Sequence, residues 1–167
     1  QRVSFSYAVP NQNQCAGCHA QDYRTRAVSP IGLKARHLNF AFAGEGGTIN
    51  QLKRLVRTGY LTGLPGTGTP QNANWQDPGQ PLAARARAYL DINCSHCHNQ
   101  YGPARTSGLW LDPQTRDPRL FGQCKPPVAA GRGTGDRPFD IVPGRPDRSI
   151  LVFRLTSTDP GVMMPEL

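Results

Sequence analysis

The chain has 167 residues, of which only 37% are hydrophobic, while 18 glycines and 16 prolines make up about a fifth of it. Such a composition excludes a large apolar core and predicts short helices and long loops built around a metal, a cofactor or crosslinks. The formal charge of +8 is scattered, with no basic run of five residues, so it describes a solvated basic surface rather than a nucleic-acid site.

Near the start, Asn13-Gln14-Cys15-Ala16-Gly17-Cys18-His19 sets a histidine directly after a pair of cysteines. Thr48-Ile49-Asn50-Gln51 has the form of a capping box. It predicts a helix with Ile49, Leu52, Leu55, Val56 and Tyr60 on one face, ended by Gly59, Gly63 and Pro65. The polar stretch Asn72 to Gln80 predicts a boundary between units 1–78 and 79–167. Pro81 suits a first helical turn, and the Ala-Arg run after it favours helix. Residues 81–93 are therefore expected to be helical, with Leu82, Ala86, Tyr89, Leu90 and Asn93 on one side. The helix runs straight into Cys94-Ser95-His96-Cys97-His98. A long loop spans Tyr101 to Arg145; its Gly131-Arg132-Gly133-Thr134-Gly135 lacks the Gly-Lys-Ser/Thr ending of a phosphate loop. Asp147 to Leu155 predicts a short helix with Ile150, Leu151 and Leu155 inward, and Met163-Met164-Pro165 follows.

The two Cys-x-x-Cys-His sequences carry the chemistry, because this is the signature of c-type haem attachment. Cysteines three apart on a helical turn share a face. Both sulfurs then reach the vinyl groups along one porphyrin edge, and the following histidine turns its imidazole to the iron. Zinc would explain paired Cys-x-x-Cys but does not require a histidine after each second cysteine. A thiol redox pair calls for one such motif in a βαβ pattern, which is not visible. With five cysteines and four histidines, chance supplies one match to the pattern about 0.004 times.

Two covalently bound c-type haems are therefore expected, one on Cys15, Cys18 and His19 and one on Cys94, Cys97 and His98. Their four propionates would reduce the charge to about +4 if all ionise. Covalent haem attachment takes place outside the cytoplasm, so a periplasmic, secreted or cell-surface location is expected. The chain opens on Gln1 without a signal peptide, which is expected to have been removed or to lie outside this sequence. No apolar stretch is long enough to span a membrane.

The order of helix, Cys-x-x-Cys-His, loop, short helix and Met-Pro in the second half resembles a class I cytochrome c. The fold class expected is mainly α with long loops, in two small cytochrome c-like haem units. That class has a further helix after the methionine, whereas this chain stops three residues after Met164. Tyr7-Ala8-Val9-Pro10-Asn11-Gln12-Asn13-Gln14-Cys15, Arg87-Ala88-Tyr89-Leu90-Asp91-Ile92-Asn93-Cys94, Cys124-Lys125-Pro126-Pro127 and Met163-Met164-Pro165-Glu166-Leu167 together resemble a family of bacterial secreted or periplasmic diheme c-type cytochromes. The resemblance covers nearly the whole chain and implies electron transfer, without supplying a donor or an acceptor.

The sixth ligand of each iron sets its chemistry. For the second haem the candidates are Met164, which is preferred because Pro165 follows it, and Met163. The first half has no methionine, and His37 is its first choice; His96, Met163, Cys124 or an open position are the alternatives. Cys124 is otherwise a small buried hydrophobe. The leading expectation is a non-enzymatic carrier of single electrons between extracytoplasmic redox proteins, acidic-surfaced ones among them. A diheme peroxidase or sulfur-compound oxidoreductase is the enzyme alternative, and a self-assembling cytochrome filament is the structural one.

Overall fold

The structure is a computed structural model and describes residues 3–7, 9–20, 22–44 and 47–166. The chain forms two compact units, Gln1–Ile31 with Cys94–Leu167, and Gly32–Asn93.

In the first unit, α1 spans Gln12–His19. Asn11 starts it with a capping box: its Oδ1 accepts from the Gln14 amide at 3.0 Å, and Gln14 Oε1 accepts from the Asn11 amide at 2.9 Å. Such a cap contributes about 1 kcal/mol, which matters to a helix of eight residues. After Cys94 the backbone continues in a turn, the His98 amide donating to the Cys94 carbonyl at 2.9 Å. The loop beyond is built from 3₁₀ turns at Arg105–Ser107, Gly131–Thr134 and Pro146–Arg148. The first two end on Gly108 and Gly135 in the left-handed region, where glycine carries no Cβ penalty. The Gly131–Gly135 sequence is thus a turn. A second helix of this unit covers Ile150–Thr156, close to the expected 147–155. Its Ile150 is buried, as are Leu111, Phe121 and Val162; each such side chain contributes about 1.5–3 kcal/mol by leaving water.

The second unit holds α2 (Ala35–Leu38), the antiparallel pair β1 (Ala41–Gly44) and β2 (Gly47–Asn50), α3 (Gln51–Arg57) and α4 (Leu82–Asn93). The strands pair Phe42 with Ile49 and Ala41 with Asn50. The helix expected with Thr48 as its cap begins two residues later. Asn50 is its cap, Oδ1 accepting from the Leu52 and Lys53 amides, while Thr48 and Ile49 lie in β2. Asn at the cap offers an acceptor at least as good as Thr, and the hairpin claims the residues before it. Tyr60, expected on the helical face, is 85% exposed beyond the helix end. Helix α4 has nearly the expected range, and Leu90 of the expected face is buried, but Leu82, Ala86, Tyr89 and Asn93 are exposed. Ala88, Leu90 and Asp91 are buried, whereas Leu82 is 74% exposed.

Both Cys-x-x-Cys-His turns fall in the first unit, whereas the sequence boundary at 78/79 predicts one motif in each half. The reason is local. Asp91 of α4 is held by Arg36 and Asn72, and the Asn72 amide donates to the Arg36 carbonyl at 3.0 Å. These bonds tie α4 to residues 32–72, so the compact unit closes at Asn93, directly before Cys94.

Candidate functional site

On α1, Cys15, Cys18 and His19 share a face by helical spacing and are half-buried. His19 is fixed by a reciprocal pair with Ser29. Its Nδ1 lies 2.9 Å from the Ser29 carbonyl oxygen, and the Ser29 amide donates to the His19 carbonyl at 3.1 Å. An Ala20–Val28 bridge closes the same loop. With Nδ1 donating, the Nε2 lone pair is the one available to a metal. On the opposite face of α1, Asn13, Ala16, Gly17 and Ala20 border a cleft of about 350 Å³ with Tyr23, Arg26, Pro103 and Arg105.

The second motif is buttressed by the turn that follows it. Asn99 Nδ2 donates to the Ser95 carbonyl at 2.7 Å, and its Oδ1 accepts from the Tyr101 and Gly102 amides. Gly102 is required by close approach: a Cβ there would strike the Cys97 carbonyl. Cys94 and Cys97 are half-buried. Burial raises the pKa of the Cys94 thiol. The Cys97 thiol is pushed up to about 11, first by burial and then by neighbouring Cys18, Cys94 and Glu166. Both motifs belong to the same compact unit, and Cys18 contributes to the electrostatic surroundings of Cys97.

Burial lowers the pKa of His98, and nearby Arg154 and His96 lower it further, against a hydrogen bond to the Leu109 backbone and the charge of Asp140. The neutral imidazole that results is the form that ligates metals. Its Nδ1 lies 3.4 Å from Ser107 Oγ. That hydroxyl donates to the Ala104 carbonyl at 2.7 Å, so it offers His98 a lone pair.

Met163 and Met164 are half-buried. The Met164 amide donates to the Arg154 carbonyl at 3.0 Å, and Arg154 Nε donates to the Val162 carbonyl at 2.7 Å. Arg154 acts electrostatically on His98 and Glu166 on Cys97, so both lie within electrostatic range of the second motif. His37 lies in the other unit, its Nε2 2.7 Å from Asp91 Oδ2. Ligation of iron through Nε2 requires that contact to be given up. His96 is half-buried, and Cys124, expected as a buried hydrophobe, is exposed. Its backbone has φ +51°, where its amide donates to the Ile141 carbonyl, and this turn carries the side chain outward.

Sequence reasoning missed Asp91, Ser29, Ser107, Lys125 and Asp140. Only Asp91 carried a signal, as a lone acid in the apolar stretch Tyr89-Leu90-Asp91-Ile92.

Among the described residues, no three His, Cys, Asp or Glu side chains converge as a metal site. A covalently held haem asks for a different set, two thiols on one edge and one oriented imidazole. The residues fit that demand twice. Trp110 adds an observation of its own: its Nε1 is buried with no acceptor among the described residues, a donor suited to the carboxylates such a group brings. Comparison with protein-family models, with curated proteins and with solved structures gives no match.

Proposed function

We propose that the chain is a diheme c-type cytochrome that passes single electrons between redox proteins outside the cytoplasm. The observation that carries this reading is shared by the two motifs. Each motif histidine follows a Cys-x-x-Cys pair, and each has Nδ1 against an oxygen acceptor, Ser29 O for His19 and Ser107 Oγ for His98. Holding Nδ1 fixes the tautomer and ring plane and leaves Nε2 as the ligand atom. The haem supplies a one-electron iron couple when bound. Cys15 and Cys18, and Cys94 and Cys97, would hold the two groups through thioethers, with His19 and His98 as proximal ligands.

The chain's own part is to fix these groups, screen them from water and keep the ligands in place through a redox cycle. Half-burial of the four cysteines serves the screening. The Arg154–Val162 and Met164–Arg154 bonds hold Met164 for the second haem. Both motifs lie in one compact unit, which favours electron passage from one haem to the other. The basic surface favours encounter with acidic partners, and the attraction weakens as salt screens it.

Mass spectrometry of the denatured protein, purified from an extracytoplasmic fraction of a host able to attach c-type haem, is the test. Two retained haem masses, with reversible one-electron steps in a redox titration, are expected. A chain without added mass, or one holding zinc, would overturn the proposal.

A further inference from the structure

Lys125 is buried, at 8% exposure, and it lies outside both haem motifs. All three of its ammonium protons have acceptors. Nζ donates to Asp140 Oδ2 at 2.8 Å, to the Ser107 carbonyl at 2.8 Å and to the Pro126 carbonyl at 3.4 Å. The Asp140 amide returns a bond to the Lys125 carbonyl at 2.8 Å, so the ion pair is locked from both sides. Asp140 is buried to the same degree. A lysine is removed from water at a cost of several kcal/mol, offset only when pairing and hydrogen bonding are complete. Here they are complete, and one of the three bonds goes to the residue that faces His98.

Ser107 ends the 3₁₀ turn Arg105–Ser107. Its carbonyl is held by Lys125, while its hydroxyl accepts from the Leu109 amide at 3.2 Å and faces His98 Nδ1 at 3.4 Å. Gly108 next to it has φ +61°, and a Cβ there would press on Lys125 Cε at 3.3 Å. The turn and the lysine are therefore fitted to each other. A third tie joins the motif to the same region, the Leu111 amide donating to the His98 carbonyl at 2.8 Å.

We infer that Lys125, braced by Asp140, is a positioning residue that sets the potential of the haem on Cys94 and Cys97 by fixing Ser107 against the Nδ1 of His98. The inference rests on the diheme reading. An acceptor at Nδ1 makes the imidazole a stronger donor to iron and favours the oxidised state. Lys125 touches neither the thiols nor His98; it acts through Ser107.

The test compares three variants of the haem-loaded protein with the parent. Ser107→Ala removes the hydroxyl acceptor and leaves the hydrogen bond of His98 to the Leu109 backbone in place. Lys125→Met with Asp140→Asn removes both charges together, so the net charge is unchanged and no ion is left buried alone. The third variant combines all three substitutions. Redox titration is read at each haem, with the proton NMR signals of the His98 ring as a structural signature. The expected result is a rise in the potential of the second haem in Ser107→Ala, a rise of the same sign in the paired variant, and no further rise in the triple variant. The first haem keeps its potential throughout. Unchanged potentials with only a lower unfolding midpoint would reduce Lys125 to a structural ion pair and overturn the inference. Additive shifts would do the same, because Lys125 would then not act through Ser107. If the paired variant fails to fold, Ser107→Ala decides alone, and an unmoved potential there ends the idea. Failure of the diheme reading appears earlier and separately, as a parent chain without two haem masses.

Discussion

Arg36 grips both oxygens of the Asp91 carboxylate, from Nε to Oδ2 and from Nη2 to Oδ1, the latter at 2.7 Å. Asn72 Nδ2 and His37 Nε2 reach Oδ2 at 2.8 and 2.7 Å, and Lys34 Nζ lies 3.5 Å from Oδ1. Asp91 is 1% exposed, so this carboxylate depends on its partners for everything water would have supplied.

Replacing Asp91 by Ala therefore leaves cations facing one another and releases α4 from residues 32–72. The expected loss is about 3 kcal/mol, as for breaking one side of a buried pair. It is read as a lower urea midpoint of the haem-loaded protein, with both haems still attached. Asp91→Asn keeps the shape but not the charge and falls short of the parent as well. A midpoint equal to the parent's would show that the cluster contributes nothing to the fold.

His37→Ala separates two roles for one imidazole. Its Nε2 is engaged by Asp91, so the expected outcome is a loss of about 1 kcal/mol, the value of one hydrogen bond, with the visible and spin-resonance spectra of both haems unchanged. A shift confined to the haem on Cys15 and Cys18 would instead identify His37 as its sixth ligand.

The motifs were legible because the Cys-x-x-Cys-His pattern fixes residue type and spacing within five consecutive positions. Cys15 to His19 and Cys94 to His98 needed no tertiary information. Helix α4 was legible from Pro81 and its Ala-Arg run, but its buried face was not. An apolar count favours Leu82, whereas Asp91 is drawn inward by Arg36, a residue 55 positions away. The sequence placed the helix cap at Thr48, and it falls two residues on, at Asn50, because the hairpin claims Thr48 and Ile49. The boundary at 78/79 followed the polar run, while the division into compact units at Asn93 goes with bonds from residues 36 and 72. Ser29 and Ser107 were invisible because the partner of a histidine Nδ1 is chosen by how the loop closes, with no residue type required.

The cysteines give a chemical count. If four sulfurs are thioethers, the intact protein presents one thiol, Cys124, which is exposed. Alkylation under denaturing conditions, followed by peptide mapping, is expected to label Cys124 alone; a chain without haem would label at five positions. No label at all, with a doubled mass that reductant halves, would show Cys124 joined to a second copy.

The last prediction concerns Met164. Its amide is fixed to the Arg154 carbonyl at 3.0 Å, and Arg154 also holds the Val162 carbonyl through Nε at 2.7 Å. The Met163 amide is bound to the Asp159 carbonyl at 2.8 Å, and Asp159 is paired with Arg132 at 2.8 Å. The backbone of both methionines is thus set, and Glu166 beyond them acts electrostatically on Cys97. A thioether sixth ligand stabilises reduced iron and raises the potential relative to nitrogen or water. Met164→Ala is therefore expected to abolish the weak near-infrared Met–iron band and to lower the potential of the second haem by roughly tenths of a volt, within the range that axial ligands span. Met163→Ala, its control, keeps the band and the potential and changes stability alone. The reverse pattern would move the ligand by one residue. A band surviving both substitutions would remove methionine from this iron, and rapid carbon monoxide binding to the reduced parent would then mark an open site, favouring an enzyme over a carrier.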